Sequence, residues 1–196
     1  REASKEFGGA STVSKYIRDR LRVFTSKDKD GSAYHRLNSL IYTYIKAGQG
    51  PRGQRTFSWT DIQTEFTGFN FNNALPVNNY LNKVPTFERI ENQVNWNVQS
   101  IGLNNFPQGT THFQLSLLFL ELPNFNVQNK YIPESEGAPL IVEALNITEV
   151  NEWCTQFGTL LLPTTNAFLC CSSLTFVQEV NNEMYPLQEH PLTWQE

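Results

Sequence analysis

Between Ser11 and Phe24 the apolar residues Val13, Tyr16, Ile17, Leu21 and Phe24 recur every three or four positions. At about 100° per residue they share one arc, which predicts an amphipathic helix. Lys15, Arg18 and Arg22 form a basic stripe on its opposite face. Arg20 breaks the pattern by falling within the apolar arc. Either its stem packs while its head reaches water, or its guanidinium meets a carboxylate of another chain. A second helix is predicted from about Ala33 to Ala47, with Ser32 as N-cap and Gly48 as its stop. Ala33, Tyr34, Leu37, Leu40, Ile41, Tyr44 and Ile45 occupy one of its faces. The connection from Ser26 to Ser32 is short, so the two helices are expected to form an antiparallel hairpin. Such a hairpin has too little core alone and must lay its apolar face on something else.

The period changes downstream. Gly48-Gln-Gly-Pro-Arg-Gly-Gln54 denies both helix and ladder geometry and places a module boundary near residue 50. Gly68-Phe-Asn-Phe-Asn72 reads as either a strand or an aromatic loop. From about residue 86 the pattern has period two: Val94, Trp96 and Val98 alternate with Asn95, Asn97 and Gln99. Thr111 to Leu122 alternates at first and then becomes apolar on both faces. This fits a strand crossing from half-covered to fully covered surroundings, or a bulge. Further strands are expected at Leu140 to Ile147, Gly158 to Leu162 and Ala167 to Val180, with a hairpin turn at Asn181-Asn182. Prolines fall mostly between these segments. The expected fold is α+β: an N-terminal antiparallel helical hairpin followed by an antiparallel β-sandwich, Ig-like or jelly-roll-like. Its parts are a basic hairpin over 1–50, an aromatic and Asn-rich connection over 51–85, and an acidic sandwich over 86–196.

Charge sharpens this division. Residues 1–55 hold twelve of the fifteen Lys/Arg and five of the nineteen Asp/Glu, and the remainder holds three and fourteen. The overall net of −4 therefore hides about +7 at one end and −11 over the rest. Such polarity speaks of partners rather than of fold. Asparagine clusters at 70–82, 92–105 and 124–129 suit turns and polar strand faces. No apolar run approaches the ~20 residues of a membrane helix. A chain that begins at Arg1 rather than Met is expected to have had an upstream segment.

Chemical motifs are absent from this reading. Asp28-Lys-Asp30-Gly31 has calcium-loop spacing, but Leu37 stands where the bidentate carboxylate is required, so a polar turn is expected. His35, His112 and His190 lie far apart, and no glycine-rich phosphate loop occurs. Adjacent Cys170 and Cys171 would point to opposite faces of a strand, and the three cysteines read as small buried thiols. No catalytic residue, cofactor or metal site is expected, and the chain is not read as an enzyme.

Several short segments carry a family likeness: Glu6-Phe7-Gly8, Lys15 to Arg22, Gly68 to Asn72, Gly109 to Phe113, and Phe176 to Leu187. Through them the chain resembles a family of uncharacterised Bacteroidetes proteins of about this size. The resemblance implies a bacterial source and carries no activity and no functional residue. The charge split leads instead to a structural subunit that polymerises with copies of itself through head-to-tail contacts. Lys15, Arg18, Arg20 and Arg22 would meet Glu179, Glu183 or Glu189 of a neighbour, in an extracellular or cell-surface assembly. Two alternatives are a shell protein whose basic helices face nucleic acid, and a glycan- or protein-binding module using Trp59, Trp96, Trp153 or Trp194.

Overall fold

The computed structural model describes residues 2–25, 30–59, 67–73, 76–127, 130–187 and 192–195, the last group by its main chain. Helix α1 spans Glu2–Thr25 and α2 spans Ala33–Ala47. The second helix has the predicted bounds, whereas the first begins well before Ser11. Gly8 and Gly9 each cost a helix about 1 kcal/mol relative to alanine, which hid that start from propensity. Tertiary contacts override the cost. A Cβ at Gly9 would lie 2.2 Å from the Tyr131 ring, so glycine lets that ring seat on the helix. One turn earlier, the buried Glu6 carboxylate accepts the Gly53 N–H at 2.7 Å and lies 3.7 Å from the Arg55 guanidinium.

Beyond their shared apolar cluster, the two helices are joined by polar and aromatic contacts. Phe7 and Tyr42 are edge to face at 5.7 Å, the Ser14 hydroxyl is 3.4 Å from Asn38 Oδ1, and the Arg18 guanidinium sits 4.8 Å over the Tyr34 ring. Ser32 occupies the N-cap position of α2, but its hydroxyl caps nothing. It donates instead to Asp30 Oδ1 at 2.5 Å. The Asp30 carboxylate also accepts the Ser32 and Asn73 N–H groups, both at 2.9 Å, and Arg36 at 2.6 Å. Burial pushes its pKa up, but these donors outweigh burial and hold it well below the usual carboxylate range. Asp30 thus serves the turn, and Asp28 lies outside the described residues. At the far end of α2, Gly48 is required by space: a Cβ there would lie 2.0 Å from the Thr56 carbonyl oxygen.

The strands are antiparallel and curl into a half-barrel. They are β1 (Thr86–Ile90), β2 (Gln93–Ile101), β3 (His112–Leu122), β4 (Phe125–Asn126), β5 (Ile132–Pro133), β6 (Ile141–Ala144), β7 (Thr148–Glu149), β8 (Cys154–Leu161), β9 (Ala167–Val180), β10 (Glu183–Pro186) and β11 (Leu192–Gln195). One sheet has the order β1-β2-β8. A larger one has the order β10-β9-β3-β6, with β11 also on β9 and β7 also on β3. The small β4–β5 pair stands apart. Asn181 and Asn182 turn the β9–β10 hairpin with φ of 55° and 64°, the left-handed pair that a two-residue turn demands.

Two apolar clusters lie on opposite faces of the β3–β9 pair. On one face Leu118, Leu120, Leu122, Leu169 and Cys171 meet Val13, Ile17 and Leu21 of α1 and Leu37, Ile41 and Ile45 of α2. Trp59, Phe57, Phe125 and Tyr16 interlock edge to face within this cluster, so residues of the 51–85 segment fill the space beside the helices. On the other face Phe113, Leu115, Leu117, Phe119, Leu174 and Phe176 meet Val94 and Val98 of β2 and Cys154 of β8. The change of pattern along β3 now has its cause. His112, Gln114 and Ser116 are only partly buried, while from Leu117 to Leu122 every residue is buried. The helical cluster takes up Leu118, Leu120 and Leu122 and none of the three polar residues before them.

Glu121 is buried among these layers. Its carboxylate accepts the Thr164 hydroxyl at 2.8 Å, the Asn166 amide at 2.6 Å and the Ala138 N–H. Its main-chain carbonyl accepts the Tyr16 hydroxyl of α1 at 3.1 Å. Burial pushes the Glu121 pKa up, yet the three donors and the nearby Arg20 charge together hold it below the ordinary value. A depressed carboxylate stabilises the fold fully above its unfolded value of about 4.3 and loses that contribution as pH falls through the folded value. Glu121→Gln is therefore expected to cost about 2 kcal/mol in urea unfolding at pH 7. It should also flatten the fall in stability below about pH 4.3 relative to the wild type. Equal acid sensitivity in the two proteins would show that the carboxylate is not held as described.

Candidate functional site

The basic stripe takes the form its spacing demands. Lys15 and Arg22 are exposed on α1, and Arg18 between them is partly exposed. Arg18 lies 3.4 Å from Asp19 and over Tyr34, so its guanidinium is oriented before any partner arrives. Beside Arg22 stands Val23, 80% exposed. Arg20 differs from the other three. Its guanidinium donates to the Glu136 carbonyl and stacks 4.2 Å from the Tyr16 ring centroid, and its charge reaches Glu121. It joins α1 to the sheet body within one molecule.

Two of the acidic residues expected to meet the stripe, Glu179 and Glu183, sit on the β9–β10 hairpin. Glu179 pairs across the ladder with Met184, and Val180 with Glu183. The Glu179 N–H donates to the Thr111 hydroxyl at 2.7 Å, and its carboxylate is 4.0 Å from His112. Glu183 accepts the Tyr185 hydroxyl. Val180, Met184 and Tyr185 are exposed around these carboxylates, giving an acidic tip with apolar shoulders. Glu189 lies outside the described residues.

Helix α1 touches the sheet away from the tip. Tyr16 meets the carbonyl of Glu121, which pairs with Phe168 near the start of β9, whereas Val180 ends that strand. At about 3.3 Å per residue, Leu169 and Val180 are separated by about 35 Å along the strand. The helix that carries the stripe thus meets the sheet near one end of β9 and the acidic tip lies at the other, and among the described residues no ion pair joins Lys15, Arg18 or Arg22 to Glu179 or Glu183.

A cavity of about 620 Å³ opens beside the N-terminal half of α1, lined by Lys5, Gly8, Thr12, Gln54, Lys130 and Tyr131 among others. Lys130 and Tyr131 both have positive φ, 55° and 58°, a costly conformation for side-chain-bearing residues. Tyr131 is held there by its ring on Gly9 and by its hydroxyl, which donates to the Arg55 carbonyl at 2.8 Å. Two ammonium groups, with no carboxylate among the described lining residues, suit this cavity to an anion. The sequence reading missed it, because its walls come from three segments distant along the chain.

Other candidates resolve individually. Trp59 is buried and donates from Nε1 to the Pro123 carbonyl at 2.9 Å, a core use of the residue. Trp96 is half-buried and Trp153 is exposed, and the Trp194 side chain and His190 lie outside the described residues. Among the described residues no three His, Cys, Asp or Glu side chains gather closely enough for a metal ion. No helix among them is long and apolar enough to cross a membrane. Compared with known proteins, the chain matches no protein-family model and no curated sequence.

Cys154, Cys170 and Cys171 are free and buried, and the adjacent pair enters opposite clusters as strand alternation requires. Burial raises all three thiol pKa values, Cys170 up to about 12 and Cys171 well above the ordinary value. Native protein at pH 8 should therefore react with a thiol reagent far more slowly than the same protein in urea, where all three groups label. Rapid labelling of a cysteine in the native state would contradict the buried placement.

Proposed function

We propose that this chain is a structural subunit that assembles with copies of itself, the basic face of α1 on one molecule receiving the acidic β9–β10 tip of the next. In this reading α1 and α2 form an antiparallel hairpin laid on a β-sandwich, and the assembly is extracellular or on a cell surface. Lys15, Arg18 and Arg22 supply the positive side, and Glu179 and Glu183 the negative side. Arg20 is left to its role within the chain.

The observation that carries the proposal is an exposed basic stripe on α1 and an exposed acidic tip on the β9–β10 hairpin that share no ion pair among the described residues. A molecule with complementary patches at opposite ends makes a heterologous contact, which propagates into a filament or closes into a ring. Charge steers the encounter, and apolar surface supplies most of the affinity. Val23 beside the stripe and Val180, Met184 and Tyr185 around the tip provide that surface. A nucleic-acid-facing role for the helices draws on the same stripe but leaves the acidic tip without a use.

Sedimentation velocity tests the reading. Wild-type protein should form large species at low ionic strength and high concentration. These should shrink as added salt shortens the Debye length from about 10 Å at 0.1 M to about 3 Å at 1 M. Arg18→Glu with Arg22→Glu should be monomeric, and so should Glu179→Lys with Glu183→Lys. Mixing the two variants should restore assembly, because each then carries the patch the other lacks. A wild type that stays monomeric at low salt, or doubly reversed variants that assemble like it, would refute the contact.

A further inference from the structure

We infer that the outward face of the β1–β2–β8 sheet binds a glycan through its neutral sugar rings. This site is separate from the charged surfaces invoked for assembly. Strand alternation divides the sheet cleanly. Val94 and Val98 face the core, with Phe87 and Trp96 packed against the same cluster. The intervening residues face away from it. Register then builds two rows on the outer face: Thr86, Asn97 and Phe157 in one, and Glu88, Asn95 and Thr159 in the next. Between the rows runs a groove of about 590 Å³. The main chain of Phe87, Trp96 and Gly158 forms its floor.

The lining has the chemistry of a sugar site. The Thr159 hydroxyl donates to Asn95 Oδ1 at 2.8 Å, which orients that amide and leaves its NH₂ to donate elsewhere. The Asn97 amide and the Glu88 carboxylate have no side-chain partner among the described residues. Donors and an acceptor therefore converge on a groove bordered by the Phe157 ring, which is 83% exposed in mid-strand. A phenyl ring forms no hydrogen bond with water, and its face suits the C–H face of a pyranose. The hydroxyls at the edge of such a sugar are at once donors and acceptors, matching amide and carboxylate neighbours.

Other ligand classes fit less well. The groove contains no Lys or Arg, so it offers nothing to a phosphate or a nucleic acid. An extended peptide adding to a sheet pairs with a strand edge rather than lying across its face. Ile90, Gln93 and Leu161 form the next row on this face, with both aliphatic residues exposed. Phe157 and Leu161 stand about 13 Å apart along β8, room for more than one ring. The floor is stiff, because the Trp96 indole lies where a Cβ at Gly158 would come within 2.5 Å of it. A preformed platform loses little freedom when it binds.

The test is affinity electrophoresis of the intact chain through gels containing hydroxyethyl cellulose, xylan, galactomannan or mucin, with sedimentation velocity run in parallel. At least one polymer should retard the wild type. Phe157→Ala and Asn95→Ala should each weaken that retardation about tenfold or more. Phe157 is exposed, so its alanine variant should keep the wild-type melting temperature. Arg18→Glu with Arg22→Glu should bind the polymer as the wild type does, which separates this site from the assembly contact. Absence of retardation by all four polymers would overturn the assignment, as would equal retardation of Phe157→Ala. A Phe157→Ala variant that loses self-association while sugar binding persists would instead mark this face as a contact between copies.

Discussion

Everything in this molecule is organised around the antiparallel pairing of β3 with β9. The register runs unbroken from His112↔Val177 to Leu122↔Ala167. Along much of that length both faces of the pair are apolar, so neither can be left to water. One face takes the two helices and the aromatic residues around Trp59, and the other takes the β1–β2–β8 sheet. Isolated helices of this length are marginal in water, and a sheet needs its apolar face covered. Both become stable by covering the same pair of strands.

Polar groups within this arrangement act as fasteners. Glu121 collects donors from the 138 and 164–166 segments while its carbonyl receives Tyr16, tying α1 to the sheet. Asp30 performs the same service before α2, gathering Ser32, Arg36 and Asn73. Glu6 anchors the start of α1 to Gly53. The desolvation of Glu121 and Asp30 is offset by several donors at once, and that of Glu6 by the Gly53 N–H and the Arg55 charge, so these positions are intolerant of losing them. The surface behaves differently. Lys15, Arg22 and Glu183 make no ion pair among the described residues, so their charge remains open to a partner.

The fold was legible in the chain where one local rule dominated. The bounds of α2 followed from its seven-residue apolar face and Gly48, and Ala167 to Val180 from uninterrupted strand composition. The Asn181-Asn182 turn followed from the tolerance of asparagine for left-handed backbone. It was illegible where a distant contact outvoted local preference. Gly8 and Gly9 argue against helix, yet helix persists because Tyr131 needs the space above Gly9. Asp30 rather than the Ser32 hydroxyl serves the start of α2, since Arg36 and Asn73 converge on the carboxylate. The candidate sites divide in the same way. The basic stripe could be read from helical spacing alone, whereas Arg20 needed Glu136 and Tyr16 in place before its role was plain.

What the residues decided unaided was the kind of the longer elements, such as α2, β3 and β9, the faces they hide and the polarity of charge along the chain. Periodicity and composition are local properties, and a strand or helix must bury its apolar side wherever it ends up. Tertiary structure alone decided which surfaces came together and which were held apart. Strand order and register placed Thr86, Asn97 and Phe157 in one row from three separate segments. The length of β9 set Glu179 and Glu183 at the end of the strand opposite Phe168, whose partner Glu121 receives Tyr16 of α1. These are consequences of long-range pairing, and pairing depends on which partner each hydrophobic face finds, a choice that no short stretch of sequence contains.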